Sequence, residues 1–114
     1  MKEFWANKSV LITGSGGFVG SQLCRNLVKA GAKAIGLDRQ NMRRPDLFGF
    51  VDGDITDSGV ISKILDIYSP VIVFHLAAAG ASDLFLPEER AIMVNTLGVD
   101  NLLKAIQGNA TVVV

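Results

Sequence analysis

Three glycines at three-residue spacing, Gly14, Gly17 and Gly20, follow directly on the apolar run Val10-Leu11-Ile12 and lead into a helical pattern. A chain that passes from strand to helix on so few residues, and with so little side chain, commits the two elements to close packing. The turn also leaves the first amides of the helix without intrahelical acceptors, and the helix dipole favours negative charge there. Backbone N–H groups aimed at an anion, with no Cβ atoms in the way, suit the pyrophosphate of a dinucleotide. The spacing is G-x-x-G-x-x-G, since the form G-x-G-x-x-G, counted from Gly14 and Gly16, would place its last glycine where Val19 stands. Taken alone, the motif also fits a plain glycine-rich turn between strand and helix.

The remainder of the chain alternates strand and helix patterns in the order β-α-β-β-α-β-α-β. Residues Lys8 to Thr13 read as the first strand, and Val19, Leu23, Leu27 and Ala30 recur at helical spacing up to Gly31, which ends the helix. Ala34 to Leu37, ending at Asp38, forms a second strand, and Phe50-Val51, running toward Asp54, a third. Between them, a turn or two can form around Pro45 to Phe48. Thr56, Asp57 and Ser58 offer capping oxygens before Val60, Ile61, Ile64, Leu65 and Tyr68, which share a helical face closed by Pro70. The uninterrupted run Val71-Ile72-Val73-Phe74 predicts a central strand buried on both faces. A long helix from about Pro87 to Gln107, with Gly108 beyond it, precedes a fifth strand beginning at Thr111. The pattern predicts an α/β fold, a Rossmann-type doubly wound parallel sheet of strand order 3-2-1-4-5, cut off after the fifth strand. Ligand is expected in the crevice beyond the carboxyl ends of the first and fourth strands.

Composition narrows the partners. Lys and Arg number 11, as do Asp and Glu, which argues against nucleic acid or an anionic membrane surface as partner. No apolar run is long enough to span a bilayer and no signal-like stretch opens the chain, so a cytoplasmic location is expected. The one cysteine, Cys24, reads as a small buried hydrophobe, and with His75 it supplies too few ligands for a metal site. The 114 residues suffice for one domain but are few for an enzyme of this kind with a separate substrate region.

The glycine turn, with Thr13 before it and Phe18-Val19 inside it, resembles that of the short-chain dehydrogenase/reductase superfamily, in particular the extended branch of nucleotide-sugar epimerases and dehydratases. His75-Leu76-Ala77-Ala78-Ala79 and Val94-Asn95-Thr96-Leu97-Gly98 resemble two further segments of that branch, and the likeness runs from about Ser9 to Val114. It implies that Gly14, Gly16, Gly17, Phe18, Val19 and Gly20 surround the pyrophosphate, and that Leu76, Ala77, Ala78 and Ala79 let backbone approach the pyrophosphate and nicotinamide ribose. Asp38, at the end of the second strand, stands where an acid accepts hydrogen bonds from the adenosine ribose. This favours NAD over NADP, although Arg39, with Arg43 and Arg44 nearby, offers a way to hold a 2′-phosphate. The resemblance sets Asp54 against the adenine amino group and Ile55 against its ring; Thr56 and Asp57, closer to the helix start, suit capping better. Asn95 shares a helical stripe with Val99, Leu102 and Ile106, so its amide is expected to face inward, near the cofactor. His75 lies on a strand and reads as a hydrogen-bonded structural residue.

Family members carry out their chemistry with a Ser or Thr after the fifth strand and a Tyr-x-x-x-Lys pair on the next helix. Here Tyr68 is followed four residues later by Ile72, so no catalytic residue is assigned within the chain. Two readings follow: the NAD-binding half of a nucleotide-sugar epimerase, dehydratase or reductase, or a non-catalytic dinucleotide-binding sensor or scaffold. In either case an unpaired fifth-strand edge and an apolar helix face predict association into homo-oligomers.

Overall fold

The computed structural model of the chain describes residues 2–39, 45–77, 88–106 and 111–113. A short helix α1 (Lys2–Trp5) precedes strand β1 (Ser9–Thr13), helix α2 (Phe18–Lys29), and strands β2 (Lys33–Asp38) and β3 (Gly49–Asp52). Helix α3 (Ser58–Tyr68), strand β4 (Ile72–His75), helix α4 (Glu88–Ile106) and strand β5 (Thr111–Val113) complete it. The strands form one parallel sheet in the order β3-β2-β1-β4-β5, as the alternation predicts. The switch in winding direction therefore falls between β1 and β4, where the crevice at the carboxyl edge opens.

Period-two alternation along the strands divides the core between the two faces of the sheet. Leu11, Ile35, Leu37 and Val73 point one way and pack with Ile61 and Ile64 of α3 and Leu102 of α4. Val10, Ile12 and Ala34 point the other way and pack with Cys24 and Leu27 of α2 and with Leu47. Burial on both faces accounts for the near-continuous apolar strands. Cys24 is fully buried, as its reading as a small hydrophobe requires.

Several boundaries follow from local chemistry. Helix α2 ends in a Schellman arrangement in which Ala32 N donates to Leu27 O and Gly31 N to Val28 O, with Gly31 at φ +92°. Helix α3 starts on Asp57, whose carboxylate accepts from Gly59 N at 2.9 Å.

Two expectations need correction, and one element was not expected. Val19 is not on the buried face of α2 but 62% exposed, because the first turn of α2 projects past the strand ends; the inward stripe is Gly20, Cys24 and Leu27. Val71 lies outside β4, which starts one residue later, so the run of four apolar residues overstates the strand at its amino end. Helix α1 has no counterpart in the sequence pattern: too short for periodicity, it is held by contacts of Trp5, whose ring lies 6.3 Å from that of Phe74 on β4. Pro87, Gln107 and Gly108 lie outside the described residues.

Leu11, fully buried in the central strand, should be among the costliest truncations. We expect Leu11→Ala to lower unfolding free energy by about 3 kcal/mol in a urea titration.

Candidate functional site

The glycine turn is shaped by contacts between main chains. Gly14 has φ +72°, and a Cβ on it would lie 2.9 Å from Ala77 N, so residue 14 touches the exit loop of β4. A Cβ on Gly20 would lie 2.1 Å from Gly14 O, a distance at which no side chain is tolerated. These two approaches bring β1, α2 and the β4 exit loop to one point at the carboxyl edge of the sheet. The turn is anchored to β2 as well, through Gly14 N to Leu37 O at 2.8 Å, and closed on itself through Gly17 N to Gly14 O at 3.1 Å. Below it, a Cβ on Gly36 would meet Ser15 Oγ at 2.6 Å, so the glycine in β2 makes room for the buried Ser15 side chain.

The two helix starts differ in a way that bears on ligand binding. α3 is capped by Asp57, whereas α2 begins at Gly17 with no side-chain cap and no acidic residue in its first turn. The dipole and the first amides of α2 thus receive no compensating charge from their own side chains, which favours an anion at that end. Phe18 and Val19, 86% and 62% exposed, flank that end, while Gly16 and Gly17 bring main chain to it.

Asp38 closes the side of the turn facing β2. Its Oδ2 accepts from Gly16 N at 2.8 Å and its Oδ1 from Arg39 N at 2.7 Å, which fixes the carboxylate beside the glycine turn. Arg39 is exposed next to it, and Arg43 and Arg44 lie outside the described residues. One strand further out, Asp38 pairs with Asp52 in register and Gly53 N donates to Asp38 O at 2.9 Å, so Asp54 follows at the same edge. Asp54 Oδ1 accepts from Thr56 N and Thr56 Oγ1, each at 2.9 Å, and so orders its own loop. Ile55, only 6% exposed, fills the core under α4, where a Cβ on Gly98 would come within 2.8 Å of it. Its side chain is therefore a floor to the loop more than a free wall. Asn95 is partly buried on α4, one turn before buried Gly98; Ala78 and Ala79 lie outside the described residues.

Sequence reasoning marks Thr13 only as a neighbour of the motif, yet it joins the two central strands. Its hydroxyl accepts from Leu76 N at 3.0 Å and Ala77 N at 3.1 Å, and lies 2.8 Å from His75 Nδ1. The Leu76 amide is shared with the Thr13 carbonyl at 3.2 Å, and a hydroxyl that accepts from these amides is oriented to donate to Nδ1, which corresponds to a neutral ring with its proton on Nε2. His75 is 7% exposed, and burial pushes its pKa below the usual 6.5. Its reading as a hydrogen-bonded structural residue holds. The signal that marks Thr13 is alternation: Leu11 faces the core, so a polar residue at 13 faces inward as well and needs partners. Asn101, which no motif includes, donates through Nδ2 to Ile55 O and Thr56 O. Its spacing of three from Gly98, beside buried Leu102, is the signal that marks it.

Among the described residues no helix is long and apolar enough to cross a membrane. The sheet order, the bare helix start and the acid at the tip of β2 define a Rossmann-type domain.

Comparison with known proteins specifies the class. The model of the NAD dependent epimerase/dehydratase family matches residues 10–114, and the chain belongs to that family. It is 34% identical over 110 residues to UDP-glucuronate 4-epimerase 1 of Arabidopsis thaliana, covering 84% of this chain and 26% of that protein. Its fold matches that of the epimerase Mth375 of Methanothermobacter thermautotrophicus with a TM-score of 0.79 and 36% identity, over 93% of this chain and 33% of the other. The UDP-glucose 4-epimerase of Thermus thermophilus, solved as a complex with NAD, matches with a TM-score of 0.76 and 27% identity over 89% of this chain and 34% of that one. The chain thus spans between a quarter and about a third of the length of these proteins.

His75 is the one histidine in the sequence, so its ring resonances can be followed without ambiguity. As pH falls through 6.5 the unfolded chain takes up a proton before the folded one, so stability is complete above that value and declines as pH falls toward the lowered native pKa. Proton NMR should show the ring titrating below 6.5. Thr13→Val, which removes the acceptor of Ala77 N and the donor to His75, should cost about 2 kcal/mol in chemical unfolding.

Proposed function

We propose that this chain binds NAD along the carboxyl edge of its sheet, as the cofactor-binding portion of a nucleotide-sugar epimerase or dehydratase. The observation that carries the proposal is the uncapped, acid-free start of α2 beside the glycine turn, with the Asp38 carboxylate held 2.8 Å from Gly16 N. Gly14, Gly16, Gly17 and Gly20 admit the pyrophosphate to main-chain amides, with Phe18 and Val19 at its border. Asp38 accepts from the adenosine ribose hydroxyls. Outward from β1 the carboxyl edge carries Asp52, paired in register with Asp38, and then Asp54 with Ile55, and we assign Asp54 and Ile55 to the base. On the other side of the crevice, Leu76 and Ala77 line the path to the nicotinamide ribose, and Asn95 supports that side from α4; Ala78 and Ala79 are assigned the same role from the sequence resemblance alone. Bound NAD supplies reversible hydride exchange.

In this reading the residues of this stretch bind and orient, and the catalytic acid and base are assigned elsewhere. Tyr68, its one tyrosine, lies at the far edge of the sheet: a Cβ on Gly49, the first residue of β3, would lie 2.5 Å from its hydroxyl. There it packs edge-on with Phe48 and is remote from the glycine turn. NADP is disfavoured, because its 2′-phosphate would meet the Asp38 carboxylate; Arg39 offsets this only in part. A cytoplasmic location suits such a cofactor and the balanced charge. Self-association belongs to the proposal as well, since Ile92 and Leu103 present apolar surface on α4.

Calorimetric titration with NAD and with NADP tests the proposal. We expect NAD to bind more tightly, and Asp38→Ala to weaken NAD binding by about tenfold while changing NADP binding little. Equal losses for the two ligands would reject the role given to Asp38.

A further inference from the structure

Inward patterning of α4 draws attention to Asn95, and a second asparagine of the helix, Asn101, binds the loop after β3. Asn101 Nδ2 donates to Thr56 O at 2.8 Å and to Ile55 O at 3.2 Å. Both partners are carbonyl oxygens, so the amide must present its NH2 group, and both N–H donors are used. One turn earlier on the same stripe, Gly98 brings the helix backbone onto Ile55 so closely that a Cβ would lie 2.8 Å from Cγ2. Helix and loop are thereby fixed in one relative position.

Thr56 transmits that position to the cleft. Its carbonyl is held by Asn101, while its amide and hydroxyl both donate to Asp54 Oδ1. The carboxylate of Asp54 is thus tied through one residue to a side chain on α4. A slip of the loop would carry Asp54 with it.

We infer that Asn101 is a positioning residue that sets the Asp54 carboxylate for the exocyclic amino group of the base, and thereby selects adenine over a base with a carbonyl at that place. This rests on the NAD-binding reading above, in which Asp54 stands at the base end. A carboxylate accepts from an amino group and repels a carbonyl oxygen, but the discrimination needs the acceptor within hydrogen-bond reach. A carboxylate displaced enough to admit water would distinguish the two bases poorly.

The test compares NAD with nicotinamide hypoxanthine dinucleotide, which differs at that amino group, by calorimetry on the wild-type chain and on Asn101→Leu and Asn101→Asp. Aspartate is isosteric with asparagine, so it keeps the packing while presenting a carboxylate to two carbonyl oxygens, and it decides the matter should the leucine variant fail to fold. We expect wild type to prefer NAD by about tenfold and both variants to bring that preference close to unity while still binding through ribose and pyrophosphate. A general weakening that leaves the ratio intact would mean that Asn101 serves stability alone and would overturn the inference. Wild-type binding of both dinucleotides with equal affinity would also overturn it, with the NAD reading untouched; binding of neither would overturn that reading and the inference with it.

Discussion

The approach of Gly20 to the carbonyl of Gly14 governs the geometry of this domain. A Cβ at residue 20 would stand only 2.1 Å from that oxygen, so the start of α2 can sit on the turn only because residue 20 has no side chain. That contact brings the amino end of the helix to the edge of β1, and the second close approach, Gly14 against Ala77, brings the exit of β4 to the same place. A parallel sheet alone would produce a crevice there. What the glycines add is a main-chain surface at the bottom of it, beside a helix start that has no side-chain cap and no acid in its first turn.

Polar side chains then fix the surrounding pieces. Thr13 joins the ends of β1 and β4 through one hydroxyl, with its proton committed to His75. Asp38 joins β2 to the turn through Gly16, and Asn101 joins α4 to the loop that follows β3. Each lies where a buried or partly buried polar group would otherwise be costly, so satisfying it also positions an element. Stability and ligand placement share the same bonds.

The sheet and its order were legible in the sequence because burial on both faces makes each strand a compact apolar run, and because the glycine turn marks where β1 ends. Helix ends were legible where a side chain or a glycine sets them, as at Asp57 and Gly31. Helical periodicity misassigned Val19, which stays exposed at the start of the helix while Gly20 takes the inward place. The β4 boundary erred for a related reason: hydrophobicity does not say which residue first meets a neighbouring strand. Asp38 was placed by its distance from the turn, while Thr13 and Asn101 depend on partners distant in sequence, 62 and 63 residues away for Thr13 with His75 and Leu76 and 45 and 46 for Asn101. Local pattern marks them as inward polar residues but cannot name what they hold.

The central claim is that the main chain of the glycine turn receives the pyrophosphate of NAD. Following backbone amide resonances by NMR during titration with NAD tests it most directly. The account predicts that the largest shifts fall on Gly16, Gly17, Phe18 and Val19, with smaller ones at Asp38 and Ala77. Saturable binding that leaves residues 14–20 unshifted would contradict it.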